Sequence, residues 1–320
     1  MTRGRLWALV LAVLLLGCGA AGYTLRAAQR ADGGGAVAGG EGAFTLDGPG
    51  ERLFVRDTAT GRVALARGRN RVAGGPVCDR FHAAGPTALC LRRRPGVPAR
   101  AYAIVLDREL REIRRIALPG IPNRARVSAS GQVLSWTMFA TGDSYASSAF
   151  STRTSILDLR TGYLIKNMEQ IPLTIDGRRH HAPDVNYWGV TFARDDNRFY
   201  ATVSAKGRTH LVEGDLRAWS ARALRPNAEC PSLSPDGARI AFKKKVSDDP
   251  ATPWRLYVLE LRTGRERPLA DRRSIDDQAA WLDDRTLAYG HAGDVWTSPA
   301  DGSGAPRVLV RGASSPVLVR

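Results

Sequence analysis

The residues able to do chemistry in this chain are a few acids, one histidine pair and a set of loop aromatics. Glu229, Asp276 and Asp277 are carboxylates that precede short apolar strands, with Arg124 and Trp188 at comparable places in other repeats. Paired carboxylates serve general acid–base or glycosidase chemistry when a substrate fits between them. The same acids also bind backbone N–H groups or arginines and then do no chemistry. His180-His181 with Asp184 is the most metal-like cluster. Adjacent histidines in an extended chain point to opposite sides, and the spacing matches no zinc signature, so surface polarity is the expectation. Asp143, Tyr145, Tyr187 and Trp188 sit among polar loop residues, where aromatic rings stack on a sugar or peptide or pin a long loop. The chain has no Gly-x-Ser-x-Gly elbow and no phosphate-cradling glycine loop, since Gly33–Gly35 fall in a Gly/Ala run. No catalytic residue, metal or cofactor is therefore assigned.

These side chains converge only if the elements between them bring them together. The stretch Glu229–Lys245 shows how. Ser234-Pro235-Asp236-Gly237 is a tight turn in which Pro235 presets φ and Gly237 takes the left-handed conformation. It is flanked by Pro231-Ser-Leu-Ser and by Arg239-Ile-Ala-Phe, which alternates with period two, so the whole is a β-hairpin. Related hairpins recur at Val127–Trp136, Val190–Ala201 and Ala280–Tyr289, with Gly131 and Asn197 at the turn position of Gly237. Arg285 departs from that rule. A second unit, an apolar strand ending in an acid and a short turn, appears at Leu53–Asp57, Ala103–Asp107, Ser155–Asp158, Leu211–Asp215 and Leu256–Glu260, and more loosely at Val295–Asp301. Two hairpins per repeat with no strong amphipathic helix imply an all-β, six-bladed β-propeller. Ser315–Arg320 has the pattern of a first strand, and Gly42–Leu46 with Leu53 that of later strands, so the termini share one blade and leave no sheet edge. The propeller then spans 44–320.

In such a blade the first and third turns lie on one face, and the second turn and the crossover on the other. Tight turns fall on the first face; Thr141–Ser151, Ile171–Trp188 and Lys243–Pro253 fall on the second. Binding residues gather in loops on rigid scaffolds. The expected site is thus the long-loop face and channel mouth: Arg124, Asp143, Tyr145, Asp184, Trp188, Glu229, Asp276 and Asp277.

The N-terminal part sets the compartment. Leu6–Leu25 is an uncharged apolar run behind Arg3 and Arg5, long enough for a membrane helix and compatible with a signal segment. Leu15-Leu16-Gly17-Cys18 is lipobox-like, so Cys18 is a candidate for lipidation. Anchor, lipoprotein and cleaved signal stay open; each delivers the propeller outside the membrane. Residues 26–43 form a flexible Gly/Ala-rich tether. Cys78 and Cys90 flank a hairpin turn and are expected to pair as a disulfide, while Cys230 packs in the core. The formal charge is +16, with 47 Lys and Arg residues scattered along the chain. Composition bias explains the scatter; a positive field that attracts anionic polymers is the functional alternative. Nucleic acid is not an expected partner.

Leu233-Ser-Pro-Asp-Gly237 followed by Arg239-Ile-Ala-Phe242 resembles the TolB-type propeller repeat. With Trp188–Thr202, the run from 44 to 320 resembles the actinobacterial TolB-like translocation proteins. That resemblance implies a propeller outside the cytoplasm and says nothing about which partner. The resulting expectation is a monomeric, membrane-tethered scaffold binding a cell-envelope protein or anionic polymer, with no cofactor. A glycan- or lactone-acting enzyme and a small-ligand sensor are the alternatives.

Overall fold

The computed structural model describes residues 44–68, 70–97, 100–140 and 151–320. The expectations for Leu6–Leu25, Cys18 and the tether, and for Asp143 and Tyr145, lie outside these residues. Six sheets follow one another along the chain, antiparallel except for one parallel pair at the outer edge of the fourth. Blade one takes its innermost strand from Ala313–Val319 and the other three from Arg52–Asp57, Arg62–Arg67 and Asn70–Val77. Blade two is Arg80–Ala84, Thr87–Arg94, Arg100–Leu106 and Glu112–Leu118. Blade three runs from Gly120–Val127 through Val133–Ala140 and Thr152–Asp158 to Leu164–Ile165. Blade four is Asn186–Phe192, Arg198–Ala205, Arg208–Asp215 and Ser220–Pro226. Glu229–Leu233, Arg239–Lys245, Trp254–Glu260 and Glu266–Pro268 form blade five. Blade six is Ala280–Trp281, Thr286–His291, Asp294–Pro299 and Arg307–Val310. The closure expected from the termini is present: Val317 pairs with Phe54 and Ala313 with Asp57.

Period-two strands give each blade two apolar faces, which pack on the neighbouring blades. Phe54 of blade one and Phe81 of blade two share a core with ring centroids 6.3 Å apart. Trp281 of blade six donates from Nε1 to the Ser232 carbonyl of blade five at 2.9 Å. Turns are tied across blades as well: Ser130 Oγ donates to Asp196 at 2.6 Å, and Asp236 N to Asp284 at 2.9 Å. Cys78 lies in the crossover between blades one and two, and Cys90 in the second strand of blade two; a disulfide joins them across a Cα separation of 5.4 Å. It closes a loop with a sequence separation of 12. Cross-linking a loop of that size removes roughly 3 kcal/mol of unfolded-state freedom. Cys90→Ser is therefore expected to lower the unfolding free energy by about that much, with no further loss on adding reductant; urea denaturation with and without dithiothreitol checks it.

Four local expectations need correction. Leu53–Asp57 is the second strand of its blade, so the Asp57–Gly61 reversal lies on the face opposite the Asp158–Gly162 and Glu260–Gly264 reversals. Only the C-terminal strand, added from a distance, decides this. Residues 44–51 are not strand: Leu46 is buried and its N–H donates to the Arg108 carbonyl of blade two, while Phe44 lies over Gly74 and Gly75. In blade four the positive φ falls on Asp196 (53°), one residue before Asn197. Ile171–Trp188 is not an open loop, because Leu173–Ile175 and Arg178–His180 add a hairpin to the outer edge of blade four, with Leu173 beside Ala221 in parallel. Buried Ile171, Leu173 and Ile175 draw the segment outward onto the blade core.

Candidate functional site

Each innermost strand starts on the long-loop face and runs down the channel. In blades one, four and five a bulge interrupts it, with two inner residues opposing one outer residue. The first bulged residue is left-handed each time: Ser315 (φ 49°), Gly189 (φ 63°) and Cys230 (φ 49°). The bulge turns carbonyls away from the ladder. Gln278 uses two of them, donating from Nε2 to Val190 O at 3.2 Å and Pro231 O at 2.7 Å, which ties blades four, five and six together at the axis.

At the long-loop end the expected acids are placed together, but each described one has a partner. Lys243 Nζ lies 2.5 Å from Asp276 Oδ1 and 3.9 Å from Glu229 Oε2, and stands 4.3 Å from the Trp254 ring centroid. Arg124 reaches Asp276 at 3.6 Å. Asp277 accepts the Gly290 N–H at 2.7 Å. Burial pushes the Glu229 carboxyl above its ordinary range, with Asp276 adding to the effect and Lys243 opposing it. Asp276 is exposed, and its partial desolvation is outweighed by Lys243 and Arg124, which hold that carboxyl below its ordinary range. Trp188 is buried beside the Gly189 bulge. Asp184 stands elsewhere: it accepts the Lys206 N–H at 2.6 Å and lies 3.4 Å from His180. Among the described residues no group of three or more His, Cys, Asp or Glu side chains is arranged to hold a metal ion.

The roomy end of the channel is the other one. A cavity of about 550 Å³ opens on the tight-turn face, lined by the inner strand ends or first turns of all six blades. Ser234–Gly237 and Ala193-Arg194 rim it, and Arg126, Arg198 and Arg320 give it basic walls. Arg198 is held by Asp195 and Arg320 by Glu51, whereas Arg194 is exposed. Below it the channel narrows to a space of about 40 Å³ among Arg80, His82, Arg124, Arg126, Asp277 and Gln278. Sequence reasoning missed Arg80, His82 and Arg126. Their signal was the i, i+2 pairing of Arg80 with His82 and of Arg124 with Arg126 on innermost strands, which puts polar groups where an ordinary blade packs apolar ones.

No protein-family model and no curated protein matches the chain. Solved structures do. TolB from Acinetobacter baumannii matches with a TM-score of 0.57 at 16% identity, over 87% of this chain and 68% of that one. The nidogen/laminin complex matches with a TM-score of 0.53 at 10% identity, over 84% and 98%. A putative TolB from Agrobacterium tumefaciens matches with a TM-score of 0.48 at 11% identity, over 83% and 91%. The chain is a six-bladed propeller with TolB-type propellers among its structural neighbours. At these identities the likeness concerns the fold.

Proposed function

We propose that the protein is a membrane-tethered, extracytoplasmic propeller that binds an acidic segment of a cell-envelope protein and performs no reaction. The observation that carries it is the basic, open cavity on the tight-turn face, to which every blade contributes. This moves the contact from the long-loop face, where the described acids are occupied with Lys243, Arg124 and Gly290. A structural neighbour bound in a complex of two proteins, nidogen with laminin, supports protein binding as a use of such a propeller. The apolar run Leu6–Leu25 and the Cys78–Cys90 disulfide support a place outside the membrane.

The test uses the full-length protein and a fluorescent glutamate-rich peptide. Binding is expected to weaken with salt, and Arg194→Glu to weaken it roughly tenfold, since a rim charge of the wrong sign repels the partner. Lys245→Glu on the long-loop face is expected to change it less than about twofold. The opposite pattern would return the site to the long-loop face.

A further inference from the structure

The floor of the cavity holds more positive charge than the described groups around it satisfy. Arg80 and His82 alternate along the innermost strand of blade two, Arg124 and Arg126 along that of blade three. Period two sends all four side chains to the narrow space on the axis. The Nε atoms of Arg124 and Arg126 are shut off from solvent and have no acceptor. Arg124 has Asp276 at 3.6 Å and the Asn123 carbonyl at 3.3 Å. Arg126 has no carboxylate in ion-pair range among the described residues; its neighbour is His82 Nε2, 3.0 Å from Nη1.

That contact is mismatched. Val127 N–H donates to His82 Nδ1 at 3.1 Å, which leaves the ring proton on Nε2, facing a guanidinium that is also a donor. The other tautomer moves the mismatch to Val127, and a protonated ring has it at both nitrogens. Burial, with Arg126 nearby, holds His82 well below its ordinary pKa, so the ring is neutral. Burial likewise lowers Arg126, to about 10, despite the attraction of Asp277. The facing charges are Arg80, Arg124, Arg126 and Lys243 against Asp276 and Asp277, with Glu229 as a third acid drawn toward its neutral form, and the buried Cys230 thiol also faces Arg124, Arg126 and Lys243. Asp276 is shared by Lys243 and Arg124, and Asp277 holds the Gly290 N–H through Oδ2, so its charge offsets the guanidinium groups only in part. Two donors at one buried point, short of an acceptor and continuous with an open cavity, form the complement of an oxyanion.

We propose that this point is a carboxylate-binding site, in which the Arg126 guanidinium and the His82 Nε2–H, backed by Arg80 and Arg124, receive the acid end of a ligand entering from the tight-turn face. The assignment rests on that cavity being the binding face. A partly buried cation with no carboxylate partner costs stability, so removing it helps the empty protein while destroying the site.

The experiment follows thermal unfolding of the full-length protein in sodium succinate against sodium chloride at equal ionic strength. Succinate is expected to raise the midpoint saturably, and chloride to leave it nearly unchanged. Arg126→Met is expected to raise the midpoint without succinate and to cancel the succinate response. Arg126→Lys, which keeps the charge and loses the planar fork, is expected to weaken succinate roughly tenfold and covers the case in which Arg126→Met does not fold. An equal response to the two salts, or a succinate response unchanged in both variants, overturns the site. Peptide binding lost in Arg126→Met marks the source as a protein's acid group; peptide binding retained while the succinate response is lost marks a free small acid. Peptide binding indifferent to Arg194→Glu, with the succinate response intact, removes the partner reading alone.

Discussion

Truncation before Ala313 is expected to abolish cooperative folding. Ala313–Val319 is the innermost strand of blade one and joins the last blade to the first by strand pairing, from Arg52↔Val319 to Asp57↔Ala313. Val317 and Val319 sit in the core shared with Phe54 and Phe81, and Ala313 in that shared with Val295 and Val310. Each buried valine is worth about 1.5–3 kcal/mol, and the ladder hydrogen bonds add to that. The sum rivals a typical total stability of about 5–15 kcal/mol. Without the strand, Arg52–Asp57 becomes an unpaired edge at the centre of the molecule, prone to recruit another chain. Circular dichroism melting and size-exclusion chromatography should show a lost transition and association. A truncated chain that melts cooperatively within a few degrees of the intact one would contradict the closure.

The second large effect is expected at Gly189. Its φ is 63°, and a Cβ there would lie 2.8 Å from Cys230 Cα, a backbone atom that cannot step aside. Left-handed backbone costs an alanine about 1–2 kcal/mol, and forcing the inner strands of blades four and five apart adds about 1–3 kcal/mol. Gly189→Ala should therefore lose several kcal/mol in urea denaturation. Ser315 has the same bulge position with φ 49° and already carries a side chain. Ser315→Gly relieves its strain and costs unfolded-state entropy of similar size, so a change within about 0.5 kcal/mol is expected. Equal losses at the two sites would mean that close approach is not what sets the cost at Gly189.

Much of the architecture was legible in local chemistry. Ser234-Pro235-Asp236-Gly237 closes its hairpin as its residue types demand: Gly237 N–H donates to the Ser234 carbonyl at 2.9 Å, Asp236 Oδ1 accepts from Ala238 N at 3.0 Å, and Gly237 has φ 72°. The half-blades at the termini were visible because a strand pattern lacking its partner is conspicuous in a repeat. The candidate site was less legible. Arg124 and Asp277 line the narrow channel space and Asp276 lies beside Arg124, whereas Glu229 lines a cavity between blades four and five. Whether each acid is free depended on Lys243 and Gly290, which come from other strands. The Ile171–Trp188 segment failed for a similar reason, because a polar stretch with a few apolar residues reads as loop until a sheet edge accepts it.

Turn chemistry and period-two alternation act over four to eight residues, so the chain alone determined its hairpins, their repetition, the closure by both ends and the pairing of Cys78 with Cys90. Which face is open, and where charge is left unsatisfied, are sums over six blades. Arg80, His82, Arg124 and Arg126 are unremarkable in a chain with so many arginines, and they become a site only where four-stranded sheets converge and donors outnumber acceptors. Desolvation and partner counting have no local signature, and the tertiary structure alone decides them.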